Sequence, residues 1–192
     1  MVSYLLLITS FIFLVSSILF LVKGKSKQSK LSTIALGIAG IMYGIMSYLY
    51  SYDNEVNLRV LRYFDWGLTI PILLYQMYLH MNVKSQTIGT FISAVICMML
   101  VLAFGFLGEI GWLGKVSAGL LGIMFSIYTF LTMVNGIGDN NIKFYIITFG
   151  VWMFYPIAYF LSDTTFIIIS YSVIDIAAKL GMDLYLCLNE EL

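Results

Sequence analysis

The sequence predicts an all-α membrane protein, a seven-transmembrane-helix bundle, from its composition and from the spacing of its apolar runs. Of its 192 residues, 61% are apolar and only 10% are charged. Soluble domains average about 45–50% apolar and about 25% charged residues. A soluble domain of this size could not bury so much apolar surface, and a disordered chain would carry far less of it. The ten basic and ten acidic residues form no block that a nucleic-acid partner would need.

Seven apolar runs are long enough to cross a bilayer, whose hydrocarbon core takes about 20 residues of helix. The breaks that follow the first six runs are short and polar; in order they are KGKSKQSK, SYDNEVNL, NVKSQT, GEIG, NGIGDNN and SD. Because little chain remains for loops, residues 1–192 are predicted to form a single seven-helix domain. The predicted spans are 2–22, 31–50, 59–81, 88–107, 112–134, 142–161 and 164–188.

The orientation in the membrane follows from the lysines around the first span. No basic residue precedes this span, whereas Lys23, Lys25, Lys27 and Lys30 follow it. A signal peptide would begin with positive charge, so the run is predicted to be a membrane helix. Basic loops stay in the cytoplasm, which places the N-terminus outside the cell. After seven crossings the C-terminus is expected in the cytoplasm.

Ionisable residues inside the predicted spans are the strongest indication of function. Asp65 lies within the third span, with Arg62 one turn before it, and Asp175, Lys179 and Asp183 lie within the seventh. Such charges cost several kcal/mol in a bilayer and are usually functional. A structural ion pair between helices is the alternative, but the spacing of these residues favours a functional site.

The seventh span places a lysine beside a carboxylate. Asp175 and Lys179 are separated by four residues and therefore share one helix face. A desolvated lysine amine is a good nucleophile toward an aldehyde, with which it forms a Schiff base. The protonated product is again a buried cation and needs a carboxylate counter-ion. Asp65 and Asp175 can supply two.

The third span carries a polar stripe through an otherwise apolar helix. Thr69 lies one turn beyond Asp65, and Gln76 lies about three turns beyond Asp65 on the same face. Pro71 lacks a backbone N–H, so we expect it to kink this helix. Together with Arg62, these side chains form a line of polar groups along the helix.

Four segments carry a resemblance to a known family. Residues 62–74, RYFDWGLTIPILL, resemble the third-helix signature of microbial (type 1) rhodopsins, and residues 175–179, DIAAK, resemble their retinal-lysine motif. Residues 152–159, WMFYPIAY, are similar to the sixth-helix segment that forms aromatic walls of the retinal pocket. Residues 41–46, IMYGIM, resemble the second-helix stretch whose tyrosine bonds the seventh-helix aspartate. The resemblance covers all seven helices in order.

The resemblance implies a buried all-trans retinal, bound as a Schiff base to Lys179. Asp65 would be the primary counter-ion and proton acceptor, and Asp175 the second counter-ion. Arg62 would tune both carboxylates from the extracellular side, and Thr69 would share the face of Asp65. No metal is implied.

The resemblance also assigns the residues around this centre. Tyr43 and Tyr155 would hydrogen-bond Asp175. The residues that would line the retinal pocket are Tyr63, Trp66, Thr69, Leu73, Met98, Trp152, Tyr155, Pro156, Tyr159 and Ala178.

The sequence departs from the usual pump pattern in three ways. Gln76 stands where outward proton pumps carry the carboxylate that returns a proton to the Schiff base. The connection before the seventh span is very short, with Asp163 as its one carboxylate. The chain is also unusually compact, which resembles small rhodopsins of large viruses. Asp183 is a candidate substitute proton donor; alternatively, it hydrogen-bonds a neighbouring helix.

The function that this pattern favours is a light-driven outward proton pump rather than an enzyme. A light-gated cation channel is the alternative, because the missing donor would prolong an open state. A photosensor comes third, since the short loops offer no docking element. A seven-helix receptor without a chromophore would not explain the paired Asp175 and Lys179. The expected partners are the lipid bilayer, a transported proton or other monovalent cation, and further copies of the chain in a homo-oligomer.

Overall fold

All regular structure in the described part of the chain is helical. The computed structural model describes residues 2–52, 55–81, 88–134 and 139–190. The seven predicted spans correspond in order to seven helices. These are α1 (Val2–Lys23), α2 (Lys27–Tyr50), α3 (Glu55–Met81), α4 (Ile88–Glu109), α5 (Lys115–Val134), α6 (Asp139–Trp152, continued by Phe154–Tyr159) and α7 (Thr164–Asp175, Ile176–Gly181 and Met182–Glu190).

Six of these helices are long and apolar enough to cross a membrane, and α3 is the exception among the described residues. Helix α3 has sufficient length, at 27 residues. Its first half, however, contains Glu55, Arg59, Arg62 and Asp65, which lower its hydropathy. The helix that falls short of the apolar criterion for a membrane span is thus the one that carries the polar stripe.

The faces of α3 are reversed relative to those of a soluble helix. Arg62, Asp65 and Thr69 are buried, while Phe64 and Leu68 are 63% and 46% exposed. In a bilayer the exposed apolar face meets lipid, and ionisable side chains turn toward the protein interior. Burial of this polar stripe supports its functional interpretation.

Helix α2 begins at Lys27, four residues before the predicted start at residue 31. The hydroxyl of Ser26 caps the helix by accepting a hydrogen bond from the backbone N–H of Ser29, at 3.0 Å. Such a cap satisfies one of the unpaired N–H groups of the first turn. The apolar pattern alone missed the extra turn because it is polar.

Other predicted boundaries also differ: α3 begins at Glu55 rather than at residue 59, and α6 begins at Asp139 rather than at residue 142. Helix α5 begins at Lys115 rather than at residue 112 and follows a turn in which Gly111 has a φ of 78°, a conformation that favours glycine. Helix α6 is interrupted at Met153. Pro156 explains the interruption, because it cannot donate to the carbonyl of Trp152 and its ring crowds that group.

The chain divides into two compact units. The first comprises Met1–Leu73 and Asp163–Leu192, which contain α1, α2, the first part of α3 and all of α7. The second is Leu74–Ser162, which contains the end of α3 with α4, α5 and α6. The first unit contains all five charged residues of the predicted site: Arg62, Asp65, Asp175, Lys179 and Asp183.

Small residues bring α1 and α2 close together in the first unit. The hydroxyl of Ser10 donates to the carbonyl of Gly40 at 2.7 Å, and that of Ser17 donates to the carbonyl of Thr33 at 2.7 Å. A Cβ on Gly40 would lie 2.7 Å from the side chain of Leu14. Close backbone approach through small residues is a common way to pack membrane helices.

Candidate functional site

Lys179 is the centre of the site and is almost completely buried, with 1% of its side chain exposed. Its Nζ donates to Oδ2 of Asp65 at 2.5 Å and lies 3.9 Å from Oδ2 of Asp175. The ring of Phe13, on α1, lies 5.9 Å from the same ammonium group. A buried cation on the seventh span therefore lies between two carboxylates, one from the third span and one from the seventh.

The two carboxylates differ in their hydrogen bonds. Tyr43 donates to Oδ2 of Asp175 at 2.6 Å, and the indole N–H of Trp66 donates to Oδ1 of Asp175 at 3.0 Å. Both oxygens of Asp175 are therefore held by neutral donors. Oδ1 of Asp65, in contrast, has no hydrogen-bond partner among the described residues. Asp65 is the carboxylate closer to Lys179, and only one of its oxygens accepts a hydrogen bond from a described residue.

Arg62 is 5% exposed and lies over an aromatic ring. The centre of its guanidinium is 4.7 Å from the ring centroid of Tyr171, on α7. Within the described ranges, Arg62 makes no ion pair with a carboxylate, and its Nη1 has no hydrogen-bond partner. Arg62 is thus close to the site without a salt bridge to either aspartate.

Other predicted residues of the first unit surround this centre. The hydroxyl of Thr69 donates to the backbone carbonyl of Asp65 at 2.9 Å, so it does not bond the Asp65 carboxylate. Tyr63 packs edge-on against Trp66, with ring centroids 5.4 Å apart. Trp66, Leu73 and Ala178, three apolar residues of the predicted pocket in this unit, are buried.

The backbone around Lys179 is a π-helical turn, Ile176–Gly181. A π turn replaces the usual α-helical hydrogen bonds with bonds between residues five apart and is frequent at functional sites. At its end, the backbone N–H of Met182 donates to the carbonyl of Lys179. The apolar pattern and the charges of the seventh span predict the lysine but not this irregular turn.

The remaining predicted pocket residues lie in the second unit. Met98, Trp152 and Tyr159 are buried, while Tyr155 and Pro156 are partly buried. Among the described residues, the indole nitrogen of Trp152 and the hydroxyl of Tyr159 are buried without a hydrogen-bond partner. The hydrogen bond predicted between Tyr155 and Asp175 stays a prediction.

Asp183 is fully buried on the last part of α7. Cys187 lies one turn further along this helix and therefore on the same face. The thiol of Cys187 is 3.5 Å from the hydroxyl of Ser29 and 3.9 Å from that of Ser32, both on α2. Asp183 thus lies on the α7 face that meets polar side chains of α2.

Asp163 has a structural role that the sequence analysis did not assign. Its carboxylate accepts a hydrogen bond from the backbone N–H of Phe166 at 2.9 Å and caps α7. Aspartate is among the preferred residues at this position. The short connection before α7 therefore uses its one carboxylate to begin the helix.

The chain matches a known protein family and two known proteins. The family model described as "Bacteriorhodopsin-like protein" matches residues 1–187. The green-light absorbing proteorhodopsin of the gamma-proteobacterium EBAC31A08 is 29% identical over an alignment of 146 residues, and the match covers 66% of this chain. The match covers 58% of that protein, and the same values hold for a protein of the same name from an unknown prokaryotic organism. The match thus spans less than two thirds of these relatives.

Solved structures share the fold over nearly the whole chain. The viral rhodopsin OLPVRII is 19% identical with a TM-score of 0.87, covering 99% of this chain and 97% of that one. The blue light-absorbing proteorhodopsin from Med12 is 22% identical with a TM-score of 0.86, covering 96% and 95%. The light-driven proton pump of Leptosphaeria maculans is 17% identical with a TM-score of 0.80, covering 99% and 95%. The match of the family model, which leaves out only the last residues, shows that this chain belongs to the bacteriorhodopsin-like family, the microbial rhodopsins.

Proposed function

We propose that the protein binds all-trans retinal covalently through Nζ of Lys179 and works as a light-driven outward proton pump. The observation that carries the proposal is the 2.5 Å contact between Nζ of Lys179 and Oδ2 of Asp65, with Asp175 on the other side. A buried primary amine between two carboxylates fits a cofactor that is attached as a positively charged nitrogen. When bound, retinal supplies light absorption and the change of shape that follows it.

The proton transfer is proposed to run from Nζ of Lys179 to Oδ2 of Asp65. Asp175 is less suited to accept the proton, because Tyr43 and Trp66 already donate to both of its oxygens. Once the geometry of a buried ion pair is disturbed, neutralising both partners by proton transfer becomes favourable. After the transfer, Nζ of Lys179 and the carboxyl group of Asp65 are neutral, and Asp175 keeps its negative charge.

The residues proposed to bind and orient the cofactor are those that the family resemblance assigns. In the first unit these are Trp66, Thr69, Leu73 and Ala178, with Tyr63 behind Trp66. In the second unit, Trp152, Tyr159 and Met98 are buried, whereas large side chains in membrane helices otherwise often face lipid. The pocket residues proposed from the second unit are Met98, Trp152, Tyr155, Pro156 and Tyr159.

The direction of transport depends on the orientation of the chain. The lysines that follow α1 support an extracellular N-terminus and a cytoplasmic C-terminus. Arg62 then lies on the extracellular side of Asp65, and Asp183 lies on the cytoplasmic side of Lys179. Release past Arg62 and return from the side of Asp183 would move one proton outward in each cycle. Assembly into a homo-oligomer remains a prediction.

A light-gated cation channel is the second candidate, and one observation favours it. Gln76 is completely buried, at the position where outward proton pumps carry a carboxylate. An amide cannot release a proton near neutral pH, so return of the proton to Lys179 would be slow. A long-lived deprotonated state is compatible with an open pathway.

The decisive measurement is light-induced current under voltage clamp in cells supplied with retinal. As a pump, the protein should give a current that persists without an ion gradient and keeps its sign as the voltage varies. A current that reverses at the equilibrium potential of a cation would assign the channel. If the retinal-bound protein shows neither current, the transport proposal fails.

Replacing Asp183 with Asn tests whether this residue returns the proton to Lys179. A buried carboxyl group on the cytoplasmic side is suited to donate a proton to Nζ of Lys179. As a donor, Asp183→Asn should slow the return of the proton by about tenfold or more, measured by flash photolysis, and added azide should restore the rate. Cys187→Ala, one turn away on the same face, should leave the rate unchanged.

The alternative role of Asp183 gives a different result. If Asp183 only hydrogen-bonds α2, Asp183→Asn should lower the thermal stability of the protein and leave proton return nearly unchanged. If the rate in the unaltered protein already falls in proportion to the external proton concentration, the proton comes from bulk water and no internal donor operates.

A further inference from the structure

Arg62 occupies an unexpected place for an arginine next to an aspartate. Arg62 and Asp65 are three residues apart on α3, a spacing at which opposite charges commonly pair. Both side chains are buried, which would strengthen the attraction between them. Across the described part of the chain, however, Arg62 forms no salt bridge, and its guanidinium lies over the ring of Tyr171 at 4.7 Å.

Tyr171 is itself held in place by the partners of Asp175. Its ring packs edge-on against Trp66, with centroids 5.0 Å apart. The hydroxyl of Tyr43, which bonds Asp175, also approaches the backbone carbonyl of Tyr171 at 3.5 Å. The Tyr171 side chain is buried. The ring therefore presents a fixed face to Arg62.

We infer that Tyr171 is a positioning residue that keeps the guanidinium of Arg62 on its ring and away from Asp65. The negative face of an aromatic ring attracts a cation, and this attraction is largest where water is excluded. Lys179 is then the one cation in direct contact with Asp65 among the described residues. This inference rests on the proposed function, in which Asp65 must take a proton from Lys179; a second cation paired to Asp65 would oppose that transfer.

Among the described residues, few charged or titratable groups lie around Asp65, so few groups can change the pH at which Asp65 takes up a proton. Helix α7 contributes Lys179 and Asp175, helix α2 contributes the hydroxyl of Tyr43, and α3 contributes Arg62. Helix α1 contributes the uncharged ring of Phe13. Of these groups, Arg62 is the one that the ring of Tyr171 holds directly.

The test is an acid titration of the visible absorption of the retinal-bound protein in the dark. If Tyr171→Leu frees Arg62 to pair with Asp65, the midpoint of the acid-induced red shift should move to lower pH by about one unit, a tenfold change in proton affinity. Tyr171→Phe keeps the ring and should stay close to the unaltered protein. Tyr171→Met provides a second ring-free variant if Tyr171→Leu does not assemble.

A double-variant comparison shows whether the effect acts through Arg62. In an Arg62→Gln background, Tyr171→Leu should produce no further shift, because coupled residues are not additive. The inference is overturned by an unchanged or raised midpoint in the ring-free variants, by an equal shift in Tyr171→Phe, or by full additivity with Arg62→Gln. Absence of a visible band in the unaltered protein would instead refute the proposed function itself.

Discussion

Replacing Lys179 with Ala should abolish the visible absorption that develops when retinal is added to the protein. In the proposed function, Nζ of Lys179 is the point of covalent attachment, and alanine offers no amine there. Nζ is also the cation that Asp65 and Asp175 face, so its removal leaves two buried carboxylates without their shared partner. The measurement is an absorption spectrum of the purified protein after incubation with all-trans retinal.

Lys143→Ala is the matched control for this experiment. Lys143 is an exposed lysine on α6, and its removal should leave the band intact. A band of undiminished strength and unchanged wavelength in Lys179→Ala would show that another group binds retinal. A variant that fails to accumulate can be repeated as Lys179→Arg, which keeps the positive charge but does not form the covalent bond.

Changing Asp65 to Asn should shift the visible band of the retinal-bound protein to the red and abolish proton transport. The carboxylate of Asp65 is the negative charge closest to Nζ of Lys179. Its removal destabilises the positive charge on that nitrogen in the ground state, so less energy is needed for excitation. Transport should stop because an amide cannot accept the proton. Acidification of the unaltered protein should produce the same red shift.

Asp175→Asn separates the roles of the two carboxylates. Because Asp175 lies 3.9 Å from Nζ and is held by two donors, we expect its replacement to disturb folding and proton return more than the initial transfer. If Asp65→Asn leaves the spectrum unchanged and Asp175→Asn shifts it, Asp175 is the main counter-ion. Light-driven pH changes in a cell suspension provide the transport measurement for both variants.

Much of the fold could be predicted from the sequence, because hydrocarbon imposes one simple requirement on chain length. Each apolar run of about 20 residues became a helix. The start of α2 and the interruption of α6 depended instead on local bonding, a serine cap at Ser26 and a missing N–H at Pro156. These features do not change the average hydropathy of a run, so the apolar pattern indicates neither the earlier start of α2 nor the interruption of α6.

The centre of the site was predicted for a different reason. Buried charges are costly enough that Asp65, Asp175 and Lys179 were conspicuous in apolar spans, and the structure places them in contact. Tyr171 was missed, because a tyrosine in a membrane helix is common and no local pattern distinguishes a ring that holds a cation. The bond from Trp66 to Asp175 was missed likewise, since it depends on how α3 packs against α7.

The π turn at Lys179 has a mechanical consequence for α7. In an α-helix, a displaced side chain transmits its motion along a stiff, uniformly bonded rod. Here Ile176–Gly181 separates two α-helical segments by a turn with a different bonding pattern. The regular α-helical bonding of α7 is therefore interrupted at the residue proposed to carry the cofactor, and it resumes on both sides. The Asp163 cap at the start of α7 and the contacts of Cys187 with α2 lie outside this turn, so the irregular bonding is confined to the part of the helix around Lys179.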